Sequence, residues 1–187
     1  MNVYDFDGTI YNGDSTIDFY FYCLYHHPLL IRYVPRQIWG IVLYKVGKID
    51  KTKMKSQFFS FLRQVRNRDA LIRKFWEKNI RKIEDWYFEQ QKEDDVLISA
   101  SPEFLLQPVC DRLGINTLIA SQVVPDTGKF LGKNCYGEEK ILRFRKTCGA
   151  EAKIDNFYSD SLSDSPMACI AQNAFLCKRG ERKKWEI

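Results

Sequence analysis

The chain has 187 residues, enough for one full core or a core with a modest inserted domain. It is 45% hydrophobic and 28% charged, a globular composition with no low-complexity tract. Net charge is +5, yet residues 28–82 alone hold fifteen Lys/Arg against Asp50, Asp69 and Glu77, a local +12 that leaves −7 for the rest.

Segregation on that scale suggests two modules, one of them facing an anionic partner. The longest uncharged stretch, FYFYCLYHHPLLI, has thirteen residues, against the roughly 20 that a spanning helix needs. A transmembrane anchor is therefore not expected, although an interfacial helix fits. The six cysteines (Cys23, Cys110, Cys135, Cys148, Cys169, Cys177) are scattered without a CxxC pair. That spacing argues against a zinc site and a disulfide scaffold, and points to a reduced, cytoplasmic protein. The apolar run that opens the sequence reads as a core strand, not as a signal peptide.

In chain order, residues 1–5 form a first buried strand. The pattern then turns helical through STIDFYFYCLYHHPLLIRYVP, SQFFSFLRQV and LIRKFWEKNIRKIEDWYFEQQ. Pro28 and Pro35 break or kink the first of these. VLISAS (96–101) is a second strand. PEFLLQPVCDRLG follows as a helix closed by Gly114, with Pro102 suited to its first turn. NTLIASQVV is a strand, PDTGKFLG a turn or hairpin, and GEEKILRFRKTCG a helix ended by Gly149. IDNFYSD, SDSPMACIAQ and NAFLCK read as strand, helix and last strand. This alternation predicts an α/β fold, a Rossmann-like parallel sheet with helices on both faces, interrupted after its first strand by an all-helical insert. The boundaries are 1–11 and 93–187 for the core and 12–92 for the insert.

Sites in open parallel sheets form at the carboxyl ends of strands. Here those ends carry Asp5 and Asp7, Ser99, and Asp160 with Asp164 close behind; Lys140 lies near the start of the helix before the last of them. Clustered carboxylates repel and call for a hard cation such as Mg²⁺, while a lysine offsets further negative charge. Together they are the parts phosphoryl transfer requires. Each residue alone has a plainer reading. Asp5-Phe6-Asp7-Gly8 is a strand-ending turn, Ser99 or Ser101 a helix cap, Lys140 a solvated helix residue, and Asp160 and Asp164 cap and turn residues. The ordered set shifts the balance to a site. TGKFLGK lacks the Walker spacing, and His26 and His27 read as ordinary insert residues.

DFDGT, ISAS, GEEK and YSDSLSD, in this order, resemble the four motifs of haloacid dehalogenase-type phosphatases, a likeness covering residues 1–11 and 95–180. The resemblance implies that Asp5 is the nucleophile and Asp7 the acid and then the base, with its backbone carbonyl on the metal. Ser99, Lys140 and the backbone at Gly8 and Ala100 would hold the phosphoryl group. Asp5, Asp7, Asp160 and Asp164 would hold or orient Mg²⁺. On these roles Asp5 must be held ionised while the surroundings of Asp7 push the other way. An acid at the second position favours phosphate-ester hydrolysis over dehalogenation.

The insert between Tyr11 and Lys92 falls where such enzymes carry a substrate-selecting cap. Residues 11–92 hold 17 of the 27 aromatic residues, most of them expected in the insert's own core. Aromatic surface beside Lys/Arg suits anionic lipid head groups, and the tail KRGERKKWEI repeats the theme with Trp185. LIASQV, NCYGEEKI, YSDSLSDSP and KRGE are similar to the phosphatidylglycerophosphatase C-type branch, itself related to phosphoserine phosphatases. The resemblance implies a lipid or amphiphilic phosphate as substrate, with peripheral contact at the inner membrane face. The alternatives are a soluble small-metabolite phosphatase, such as one for phosphoserine, and a non-catalytic module that binds anionic surfaces or nucleic acid. No nucleic-acid-binding motif accompanies the basic segment.

Overall fold

The computed structural model describes residues 1–178 and 180–186. Its strands are β1 (Asn2–Tyr4), β2 (Val96–Pro102), β3 (Thr117–Ser121), β4 (Ile154–Ser159), β5 (Ala171–Lys178) and β6 (Glu181–Lys184). They form one sheet in the order β3-β2-β1-β4-β5-β6, parallel except for the antiparallel β5–β6 pair. The chain moves outward from β1 to β2 and β3, then crosses back to β4 on the other side of β1. That reversal makes the β2–β1–β4 edge the topological switch point, where side chains at strand ends converge.

The strands pack on both faces, as the near-continuous apolar runs require. Val3, Val96, Ile98, Phe144 and Phe157 form one cluster, which covers the sheet with α7 (Glu138–Cys148) and α8 (Ser165–Cys169). On the other face Tyr4, Tyr158 and Phe175 stand in register on three adjacent strands. Their rings stack, with both centroid separations at 4.9 Å. Each such pair contributes on the order of 1 kcal/mol beyond its area burial.

The helical segment comprises α1 (Ser15–His26), α2 (Val34–Lys45), α3 (Lys51–Phe58), α4 (Arg68–Asn79) and α5 (Asp85–Gln90). Trp86 and Tyr87 of α5 lie against the Tyr4 ring, and Trp76 of α4 meets Phe6 and Tyr11 edge-on. The Trp76 indole also donates to the Leu105 carbonyl of α6 (Glu103–Leu113) at 2.6 Å. The insert's buried aromatics therefore share one cluster with the sheet instead of closing a core of their own.

Several expectations change in detail. The run 71–91 is two helices, because Ile83 takes extended backbone and pairs with Tyr11 while the Glu84 N–H donates to Ile10. These bonds join the two ends of the insert beneath it. The helix after Asp164 stops at Cys169, and the strand that follows begins at Ala171. The basic tail holds an extra edge strand, β6, and Trp185 folds back against the second cluster, its backbone N–H donating to the Ala174 carbonyl at 2.8 Å. That tryptophan packs the sheet edge and does not stand free for lipid. Arg179, within the KRGE motif, lies outside the described residues. All six cysteines are unpaired, and no helix of the described residues is long and apolar enough to cross a membrane.

Candidate active site

β1 ends at Tyr4, and the chain leaves the sheet through Asp5, whose N–H still donates to the Tyr158 carbonyl of β4 at 2.9 Å. The Asp5 carboxylate is thus fixed on the switch-point edge. Lys140 of α7 reaches it with Nζ 3.0 Å from Asp5 Oδ1 and 2.6 Å from Asp164 Oδ2. Lys140 is 1% exposed. Burial works against its charge, but Asp5 and Asp164 more than offset that and raise its pKa. Asp164 is also buried and accepts from Ser159 Oγ at 2.8 Å, so it positions the lysine from below.

Asp7 sits two residues on, at the positive N-terminal end of α1. The Ser15 N–H donates to its Oδ1 at 2.6 Å, and Ser101 Oγ donates to its Oδ2 at 2.5 Å. Burial pushes Asp7 up to about 6 against the pull of these donors. Asp5 is pushed up to about 7, again by burial, with Lys140 pulling down and Asp164 and Asp7 pushing up. Desolvation is the largest influence on both acids, and only Asp5 has a buried cation drawing it back down. A pKa near 6 suits Asp7 to hold a proton and then to release it near neutral pH.

Gly8 has φ +70, and a Cβ there would lie 2.2 Å from Asp160 Oδ2. Glycine is needed because the Asp160 carboxylate folds over it. The expected donation from the Gly8 N–H to a phosphate needs correcting: that N–H is already directed at the carbonyls of Tyr11 and Gly13, both at 2.9 Å. Ser99 is 1% exposed, and its Oγ accepts from the Ser101 N–H at 3.0 Å. The β2–β3 register shifts between Ile98 and Pro102, so Ser99, Ala100 and Ser101 bulge out of the ladder beside the acids.

The haloacid dehalogenase-like hydrolase family matches residues 3–168, a span that takes in every one of these side chains. The chain belongs to that family. A Mycobacterium tuberculosis protein named as a probable phosphatase is 32% identical over 102 residues, covering 50% of this chain and 36% of that protein. A Bordetella pertussis protein of unknown function shares the fold with TM-score 0.73 at 18% identity, over 93% of this chain and 87% of that one. A Francisella tularensis phosphoserine phosphohydrolase-like protein gives TM-score 0.55 at 17% identity, over 93% and 86%. The chain spans 36% of the length of the curated relatives it matches first.

In this haloacid dehalogenase-like chain the strand-end residues floor a cavity of about 440 Å³, lined further by Ile17, Ile41, Met54, Phe58 and Phe59 from the insert. Two residues that sequence reasoning passed over complete it. Ser101 read as a cap for α6, but Pro102 takes that place without a side-chain bond, and the Ser101 hydroxyl serves Asp7 instead. Lys55 of α3 points inward, donating to the Ala100 carbonyl at 2.9 Å and Asn134 Oδ1 at 3.2 Å. Burial pulls its pKa down to about 8, helped by Lys51 and opposed by Asp7, Asp14 and Asp5. The pattern Lys51, Lys53, Lys55 gave no sign of which lysine turns in; only an apolar-face count placing Phe58 and Phe59 inward could have suggested it.

The donor set fits Mg²⁺ in a particular way. Among the described residues no three His, Cys, Asp or Glu side chains enclose a cation by themselves. Asp164 is committed to Lys140, and Asp7 to Ser15 and Ser101. Asp160 and the Asp5 oxygen that does not face Lys140 are left as carboxylate donors, with backbone oxygen and water for the rest. That suits Mg²⁺, which binds through one or two carboxylates and keeps several waters.

Proposed function

We propose that this protein is a phosphomonoesterase working through an aspartyl-phosphate on Asp5. The observation that carries the reading is the Asp5–Lys140–Asp164 arrangement at the switch point, with Asp7 held across from it. Asp5 Oδ would attack phosphorus, forming the acyl-phosphate bond as the ester P–O bond breaks. Asp7 would give its proton to the leaving oxygen, then take one from the water that cleaves the intermediate. Lys140 and Ser99 would face the transferring oxygens. Mg²⁺, held by Asp5 and Asp160 with the Asp7 carbonyl, would supply neutralisation of phosphate charge, and Asp164 acts on this set through Lys140.

The substrate in this reading is a lipid or amphiphilic phosphate such as phosphatidylglycerophosphate, met at the cytoplasmic face of the membrane. Support comes from the apolar wall formed by Ile17, Ile41, Met54, Phe58 and Phe59, and from the motif likeness to the phosphatidylglycerophosphatase C-type branch. The test is hydrolysis of p-nitrophenyl phosphate with and without Mg²⁺, followed by a substrate panel. Asp5→Asn should lower kcat by about 10³-fold or more, and chelation should abolish turnover. Full activity in Asp5→Asn would overturn the mechanism. Phosphatidylglycerophosphate in mixed micelles should exceed phosphoserine in kcat/KM by about tenfold or more, since each buried methylene of a matching chain adds roughly 0.8 kcal/mol. Preference for phosphoserine would make the enzyme a small-metabolite phosphatase.

A further inference from the structure

Helix α2 is built inside out. Gln37 and Gly40 are its buried residues, and they face the rest of the insert. A Cβ on Gly40 would lie 2.6 Å from Gln57 Oε1, so α2 and α3 approach closely at that point. Gln37 accepts from Tyr20 Oη at 2.7 Å and donates to the Phe58 carbonyl at 3.0 Å. The polar side chains thus hold the inner face. At helical spacing Ile38, Val42 and Val46 fall on the opposite side with Trp39 beside them, and these are 55%, 42%, 59% and 60% exposed. The neighbouring turn and α1 add Leu29 at 78% and Tyr25 at 80%.

A contiguous apolar surface of this kind on one helix face marks an interaction site. Its surroundings select the partner. Arg32, Arg36, Lys45 and Lys48 are exposed around it, and none makes an ion pair among the described residues. A second copy docked face to face would bring these cations against their own counterparts. An anionic bilayer takes both features at once, with apolar side chains at the acyl boundary and cations at the head groups.

We propose that the outer face of α2, with the turn before it and the exposed side of α1, docks this protein on an anionic lipid surface. The face is continuous with the catalytic cavity. Ile17 and Ile41, each 40% exposed, belong to the outer surface and also line the cavity. From there the wall passes through Met54 and Phe58 to Lys55 and the acids. Docking on this face sets the cavity mouth beside the bilayer, where an ester phosphate reaches Asp5 while its apolar part stays in lipid. This last step rests on the phosphatase reading; the docking itself does not.

The experiment is flotation of the full chain with vesicles of phosphatidylcholine alone or mixed with phosphatidylglycerol, at low and high salt. Binding should be at least about tenfold stronger to the mixed vesicles and should weaken with salt, because each cation near an anionic surface adds attraction that salt screens. Trp39 emission should shift to the blue on binding, and that shift should be absent from Trp39→Phe. Ile38→Asp/Val42→Asp should lose binding to both kinds of vesicle, and Arg32→Glu/Arg36→Glu should lose the anionic preference. Both variants should keep wild-type hydrolysis of p-nitrophenyl phosphate without vesicles, which reports an intact fold. No flotation, or equal flotation with both vesicles, would overturn the proposal. So would a Trp39 shift that appears on concentrating the protein alone together with dimer sedimentation. Vesicle binding without hydrolysis of any phosphomonoester would support the docking face and sink the phosphatase reading.

Discussion

The floor of the cavity and the top of the helical insert depart from ordinary burial in opposite directions. At the floor, Asp5, Lys140 and Asp164 bury charge at the strand ends; at the top, α2 turns Ile38, Trp39 and Val42 to solvent. Each departure opposes folding in isolation, one through desolvation and the other through exposed apolar area. The floor compensates internally, since every buried charge has an opposite partner within 3.0 Å. The apolar side chains at the top have no such partner among the described residues. A buried ionic cluster and an exposed apolar face therefore bear on different questions: the first on the proposed reaction and the second on the proposed docking.

The comparison breaks most sharply at Lys140. Lys140→Met leaves Asp5 and Asp164 buried as like charges, and should destabilise the fold by about 3–5 kcal/mol in urea denaturation. Activity should fall by about 10²-fold or more. The sign with pH follows from Asp5, whose folded pKa already lies above the unfolded value and rises further without the lysine. The deficit should be fullest at high pH and shrink as pH falls through that raised value. A deficit that grows on acidification would mean that the pair is not what holds the floor together.

Lys55 joins the two regions, and its charge is the weak point of that joint. Its folded pKa of about 8 lies below the ordinary lysine value, so the unfolded chain binds the extra proton between the two. Wild type should therefore gain stability over Lys55→Met as pH rises from about 8 toward the lysine range, by up to about 3 kcal/mol. Parallel curves for the two proteins would show that Lys55 is solvated. The smallest effect belongs to Gly8→Ala, where φ +70 costs about 1–2 kcal/mol for a residue with a Cβ. Its Cβ should also displace Asp160, so the variant should need more Mg²⁺ for half-maximal rate. An unchanged Mg²⁺ requirement would remove Asp160 from the metal set.

Asp5, Asp7, Ser99, Asp160 and Asp164 were legible in the sequence because they lie at or just past strand ends, which a parallel sheet gathers along one edge, and Lys140 because it opens the helix beside them. Residues whose direction depends on a distant partner were not. Ser101 lies one bulge away from an obvious helix cap, and only the approach of β1 turns its hydroxyl to Asp7. The break at Ile83 depends on pairing with Tyr11, more than seventy residues earlier. Trp185, in a basic tail suited to lipid, is drawn instead to a sheet edge whose apolar residues it covers.

By itself the sequence determined the α/β order, the helical insertion after the first strand, and the set of acids and lysine gathered at the strand ends. Periodicity and residue type set those things locally. Tertiary structure decided which insert side chains face inward, and that is where Lys55 and the outer face of α2 emerge. A helix carries several possible contact faces, and the choice among them rests with its neighbours. Here Gly40 and Gln37 meet α3 and the Tyr20 hydroxyl, and the apolar side of α2 is left turned outward.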